Sequence, residues 1–296
     1  MRAMVSVVVG ARTRRRLGRG DMARISIGSR AERARGHQLY RDVMQTPIVF
    51  LHGGGLAAVS WTPHMSLLGD EGPVLALDLP AHGAQRHRRW TTMDDAADDV
   101  AGALRERGLD RVHVVGFSLG ADVALRVIAR HPAMVDAAVL TGISTSPVPW
   151  WERVLDVMSW PVMAMPLTHR LLARGMRLPD DVRRAHLAST GPVRIGDYSR
   201  LSRQVLAGVS LDGGELASAR VLALAGQRES AHCRRSAVML ARRMTEAGLE
   251  SEAAFVPRAG HSWPLSSPAT VADIVRAWID RPGVVDPRLV RYAART

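Results

Sequence analysis

The stretch Arg111 to Ala121 constrains the fold more than any other. Val112, Val114 and Val115 have the length and branching of a short buried strand, and Gly116-Phe117-Ser118-Leu119-Gly120 follows directly. Val123, Leu125, Val127 and Ile128 then recur at helical spacing up to Arg130. A G-x-S-x-G turn between a strand and a helix is a nucleophile elbow, which lifts a serine hydroxyl clear of a sheet. A Cβ at either glycine would meet the neighbouring strand or helix. The following helix turns its free N–H groups and positive dipole end toward the serine, which favours negative charge there. Ser118 is therefore the candidate nucleophile.

The flanking sequence repeats this alternation. Pro47 to Leu51 is a continuous apolar run, as suits a strand covered on both faces, and it ends in His52-Gly53-Gly54-Gly55. A glycine-rich turn after a central strand frees backbone N–H groups for an oxyanion. The candidate donors are Gly54 N–H, or less favourably Gly53 N–H, paired with Leu119 N–H. No Gly-Lys-Ser/Thr follows, so a phosphate-binding P-loop is excluded, and His52 reads as a turn-fixing residue. A short helix from Ser60 to Leu68, capped by Ser60, precedes a strand from Pro73 to Leu79. Thr91 to Gly108 is an amphipathic helix with acids early and arginines in its last turn. Val135 to Leu140 is another strand.

The pattern breaks after Thr141. Helix-like pieces run over Trp150–Trp160, Met163–Met176, Asp180–Ser189 and Tyr198–Val209, with no strand among them. One by one, their tryptophans and methionines are residues that pack an insertion; together they suit an adaptable apolar lid. The strand–helix pattern resumes with Val221–Ala225, a helix over Ala231–Ala247, a strand Glu252–Val256 and a helix Pro268–Asp280. Ahead of the central run, Ala23 to Ser29 and His37 to Val43 read as an edge hairpin.

The net charge of +12 suggests a nucleic-acid partner only until its distribution is read. Ten arginines against Asp21 and Glu32 give +8 over residues 1–36, which leaves +4 for the other 260. All 40 basic residues are arginine, and no basic helix or aromatic platform marks a nucleic-acid surface. Residues 1–22 read as a basic, disordered extension, or as sequence upstream of a start at Met22. Their charges follow the apolar run, the reverse of a secretory signal. No run approaches the roughly 20 apolar residues of a membrane span. Cys233 is the one cysteine, so no internal disulfide forms. The expectation is a cytoplasmic protein without stable membrane insertion. No metal-ligand motif appears, and no metal or cofactor is expected.

Taken together, Phe50-Leu51-His52-Gly53-Gly54, Leu77-Asp78-Leu79-Pro80-Ala81-His82-Gly83, the elbow, Gly226 to Glu229 and Gly260-His261 resemble the α/β-hydrolase family. The resemblance covers about Ala23 to Arg281. It implies a doubly wound, mostly parallel sheet of eight strands with a helical cap inserted after the sixth. The core is then 23–143 and 213–281, the cap 144–212, and 282–296 a tail. It also implies the order Ser, acid, His: Ser118, Glu229 after the seventh strand, and His261 as base. Asp212 is the other acid considered, although it precedes that strand. Ala81 stands where the family usually has glycine. Leu56, Trp61, Phe117, Trp150 and Trp151 are the candidate substrate contacts.

The implied activity is cofactor-free hydrolysis of an ester, lactone or thioester of a small apolar molecule. A carbon–carbon bond hydrolase of ring-fission products uses the same three residue types. A ligand receptor, a lyase or a cofactor-free oxygenase on this fold are the other readings.

Overall fold

The computed structural model describes residues 6–8, 46–69, 72–163, 165–175, 178–189, 194–209, 219–280 and 285–292. Its strands are β1 (Ser6–Val8), β2 (Ile48–Leu51), β3 (Val74–Leu77), β4 (Val112–Phe117), β5 (Val135–Thr141), β6 (Arg220–Gly226), β7 (Ser251–Val256) and β8 (Val290–Arg291). They form one sheet in the order β1-β3-β2-β4-β5-β6-β7-β8. The six from β2 to β7 are parallel, and the short edges β1 and β8 are antiparallel to their neighbours. The helices are α1 (Thr62–Leu68), α2 (Met93–Arg105), α3 (Leu119–Arg130), α4 (Trp150–Met163), α5 (Pro166–Gly175), α6 (Asp180–Ser189), α7 (Ile195–Ala207), α8 (Ala231–Glu246), α9 (Trp263–Ser266) and α10 (Pro268–Asp280).

Alternation along each strand explains the two-sided burial. Val49 and Leu51 face one cluster, with Val100 and Leu104 of α2, Leu125 of α3 and Leu240 of α8. Ile48 and Phe50 face the other, with Met65 of α1 and Ile274 and Trp278 of α10. Every residue of β2, β3 and β4 is buried, so no polar alternation shows in the sequence. Each such large side chain stabilises the fold by roughly 1.5–3 kcal/mol relative to exposure.

Strand order places the site. From β2 the chain moves one way to β3, then returns past β2 to β4 and continues to β5. The direction reverses between β2 and β4. In parallel sheets, the crevice beyond the strand ends at such a reversal is where ligands bind. The His52 loop leaves β2 there, and Ser118 leaves β4 there.

Four helices, α4 to α7, occupy the stretch between β5 and β6. Its two stems are joined by Val209 N–H to Ser144 O (2.7 Å) and Val148 N–H to Leu206 O (3.0 Å). The described residues contain no helix long and apolar enough to cross a membrane.

Several expectations are corrected. Ser60 does not cap a helix: Ala58–Trp61 is a 3-10 turn, and the Ser60 hydroxyl donates to Ala57 O (2.7 Å). The edge hairpin expected over 23–43 lies outside the described residues. Among the described residues, the outermost strands of the sheet come from the two segments expected to be tails. Ser6–Val8 pair with Val74–Ala76, and Val290–Arg291 pair with Phe255 and Ala254. Val285 and Leu289 are buried, so this part of 282–296 belongs to the body.

Buried histidines make the fold acid-sensitive. Burial above all pushes His52, His64 and His82 down to about 4 from 6.5, against backbone hydrogen bonds that work the other way. The unfolded chain therefore takes up protons first as pH falls through 6.5, and stability is lost progressively down to about 4. The urea midpoint is expected to fall steadily across that window. A flat midpoint between neutrality and the carboxylate range would show that these histidines charge without cost.

Candidate active site

Ser118 is the single residue between the end of β4 and the start of α3. Its backbone sits at φ 51, ψ −121, a region that non-glycine residues rarely adopt. Neighbours on three sides fix it there. Its N–H donates to Thr141 O at the end of β5 (2.8 Å), and its carbonyl accepts from Ala121 N (2.7 Å) and Asp122 N (3.1 Å). At Gly120 an added Cβ would lie 2.2 Å from Leu51 O, so only glycine lets α3 press against the end of β2.

His261 lies in the loop after β7. Its Nε2 is 3.1 Å from Ser118 Oγ, and its Nδ1 is hydrogen-bonded to Glu229 Oε1. With Nδ1 donating to the carboxylate, Nε2 is left to accept the serine proton. The imidazole is 44% exposed, whereas the Glu229 side chain is 2% exposed. The Phe117 ring stands 5.1 Å from the imidazole, centroid to centroid.

Glu229 sits in a tight turn after β6, with its N–H bonded to Gly226 O (3.0 Å). The extra methylene folds back over this turn, so that Oε2 accepts Gly226 N–H (2.8 Å) while Oε1 meets the histidine. Gln227 N–H to Val256 O (3.0 Å) and Arg228 N–H to Ala259 O (2.8 Å) tie the acid turn to the histidine loop. Burial works against ionisation of Glu229, but the bonds from His261 and Gly226 outweigh it and hold the carboxyl below its ordinary value of 4.5. Asp212 lies outside the described residues.

The glycine loop is held by His52. Its Nδ1–H donates to Gly53 O (2.8 Å), and its Nε2 accepts Leu79 N–H (3.1 Å). Gly53 O also accepts Leu56 N–H (3.1 Å). Across a trans peptide the next N–H points opposite to the carbonyl, so Gly54 N–H is turned away from these partners. Gly54 and Leu119 adjoin: a Cβ on Gly54 would touch Leu119 Cδ2 at 4.0 Å. Neither N–H has a partner among the described residues. Ala81 takes φ 66, the left-handed conformation that explains why glycine is the easier choice there.

The candidate substrate contacts divide. Phe117 and Leu56 border the glycine loop, where a Cβ on Gly53 would lie 3.0 Å and 3.4 Å from them, although both side chains are themselves buried in the second core cluster. Trp61 is fully buried in the core against Phe50 and His64, so packing accounts for it. Trp150 and Trp151 are 75% and 50% exposed on α4 and are not drawn into the triad.

Two residues that the sequence reading passes over belong to the site. Gly142, at φ +71, lies under the imidazole; a Cβ there would be 2.7 Å from His261 Cε1 and 3.3 Å from Glu229 Oε1. A glycine directly after a strand on the site's side of the sheet was the available signal. Gly142→Ala is expected to push the imidazole off its line and to cut hydrolysis about 100-fold. A thermal melt run alongside separates this from unfolding, and a wild-type rate would show that the ring has room to move. Cys233 is the other residue. Its sulfur, Glu229 and His261 offer ligand atoms within 4.8 Å of one another. Burial pushes the thiol up to about 11, so it keeps its proton, and the other two groups are bonded to each other, which disfavours a cation there.

A sequence model described as the alpha/beta hydrolase family matches residues 48–274. An esterase of Mycobacterium tuberculosis is 36% identical over 104 residues, 33% of each chain. An ethanol acetyltransferase of Cyberlindnera jadinii is 35% identical over 104 residues, 34% of this chain and 30% of that one. The matched segment thus spans about a third of these curated relatives. A thermophilic esterase from Thermogutta terrifontis superposes with a TM-score of 0.62 at 22% identity, covering 80% of this chain and 90% of that one.

Proposed function

The chain belongs to the α/β-hydrolase family, and on that premise we propose that it is a serine hydrolase cleaving an ester, lactone or thioester through an acyl-enzyme. The observation that carries this reading is the hydrogen-bonded line from Ser118 Oγ through His261 to the buried Glu229 carboxylate.

A serine hydroxyl is a poor nucleophile until a base takes its proton. His261 Nε2 takes it as Ser118 Oγ bonds to the substrate carbonyl carbon. The carbonyl oxygen becomes an oxyanion, held by Gly54 and Leu119 N–H at the positive end of α3. Glu229 keeps Nδ1 protonated and stabilises the imidazolium. As the tetrahedral species collapses, His261 gives its proton to the leaving alcohol or thiol. Water then attacks the acyl-enzyme with the same base, and the acid leaves with Ser118 restored. No step calls for a metal or cofactor. A small acyl group is favoured, with the apolar side chains of Leu56 and Phe117 at the glycine loop and the cap helices supplying the outer contacts.

The test is a series of p-nitrophenyl esters of increasing chain length, with wild type and Ser118→Ala side by side. Hydrolysis by wild type that is strongest with short acyl chains and absent from the variant is expected. Equal rates in the two would exclude acyl-enzyme chemistry at Ser118. Including ethanol in the assay measures transfer to an alcohol, the acceptor named for the Cyberlindnera jadinii relative.

A further inference from the structure

Thr141, the last residue of β5, is bonded to both halves of the site. Its carbonyl accepts Ser118 N–H (2.8 Å), and its buried hydroxyl accepts the indole N–H of Trp263 (3.1 Å). Trp263 follows His261 by two residues. Its ring is anchored in the second core cluster, and its backbone N–H closes a turn onto Gly260 O (3.3 Å). The Trp263 bond ties the loop that carries the half-exposed imidazole to the end of β5, beside the bonds from Arg258 N–H to Gln227 Oε1 (3.1 Å) and between His64 Nε2 and Pro264 O (2.9 Å), which hold it elsewhere. The residue after Thr141, Gly142, forms the floor under that imidazole.

Burial alone does not demand this bond. Trp61, Trp90 and Trp278 are fully buried, and their indole nitrogens have no partner among the described residues. Their rings pack without a hydrogen bond; the indole two residues after the histidine is given one.

We propose that the Thr141 hydroxyl is a positioning group that sets the Ser118–His261 distance: it holds the His261 loop through Trp263 while its own carbonyl holds the nucleophile. The inference rests on the serine-hydrolase reading. Its chemistry is geometric. A nucleophile–base pair at 3.1 Å has little slack, and displacement by about 1 Å costs on the order of 100-fold in rate. Valine at this position keeps the shape of threonine and removes the acceptor, so the indole N–H of Trp263 no longer ties the His261 loop to the end of β5.

The experiment measures the second-order rate of fluorophosphonate labelling per folded protein, with kcat and KM on a p-nitrophenyl ester, for Thr141→Val, Thr141→Ser and Trp263→Phe. Thr141→Val and Trp263→Phe are expected to lower labelling and kcat about 10- to 100-fold with KM nearly unchanged. Thr141→Ser is expected to restore most of the rate, and Thr141→Val/Trp263→Phe to be no slower than the single variants. Should Thr141→Val fail to fold, Trp263→Phe carries the test, since it keeps a ring in the cluster. A labelled wild type with folded variants that label equally fast overturns this inference alone. So does a rise in KM without a fall in kcat. A wild type that is not labelled at Ser118 overturns it together with the hydrolase reading.

Discussion

Ser118→Ala and His261→Ala are each expected to lower ester hydrolysis by about 10⁵- to 10⁶-fold, and the double variant to be no slower than either. The reason is that the two groups act as one. Without the base, the hydroxyl of Ser118 keeps its proton and does not attack; without the hydroxyl, His261 has nothing to activate. The 3.1 Å contact between Oγ and Nε2 is the structural basis for that dependence. On the proposed mechanism, the rate that remains would come from binding and the two backbone donors, Gly54 and Leu119 N–H, which neither substitution touches. Additive losses in the double variant would mean that the serine and the histidine serve different steps.

Glu229→Gln is expected to lower kcat about 10⁴-fold with little change in KM. Glutamine fills the same volume over the Gly226 turn. Its amide can present N–H rather than an acceptor to His261 Nδ1, which allows the wrong tautomer and withdraws the charge that stabilises the imidazolium. The carboxylate also contributes to stability. Because its folded value lies below its ordinary 4.5, that contribution is present above 4.5 and lost as pH falls through the lower, folded value. A melting-temperature advantage of wild type over Glu229→Gln at neutral pH should therefore shrink in acid. A variant with near-normal kcat would move the orienting role to another carboxyl.

What the sequence made legible is what is encoded locally. β2 to β7 are apolar runs of strand length, and the elbow is a five-residue pattern between two clear elements. Ser118, His261 and Glu229 each adjoin such an element, but that the three should meet was implied by the resemblance to the α/β-hydrolase family and by no local pattern. β1 and β8 have three and two residues, too few to carry any periodicity. Trp61 looked like a pocket residue because a tryptophan near a glycine loop fits both a core and a site; only its full burial against Phe50 decides. Thr141 and Trp263 meet across 122 residues of chain, and neither lies in a motif. Gly142 directly follows a strand, which marks the position, but the imidazole that gives it meaning comes from 119 residues further along the chain.

The most direct test of the central claim is intact-protein and peptide mass spectrometry after treatment with a fluorophosphonate. Attack by an activated serine on phosphorus expels fluoride and leaves a stable covalent adduct. One adduct is predicted on wild type, mapped to the peptide containing Ser118, and none on Ser118→Ala. An adduct that persists in Ser118→Ala, or a folded wild type that takes up none, would contradict the assembled triad.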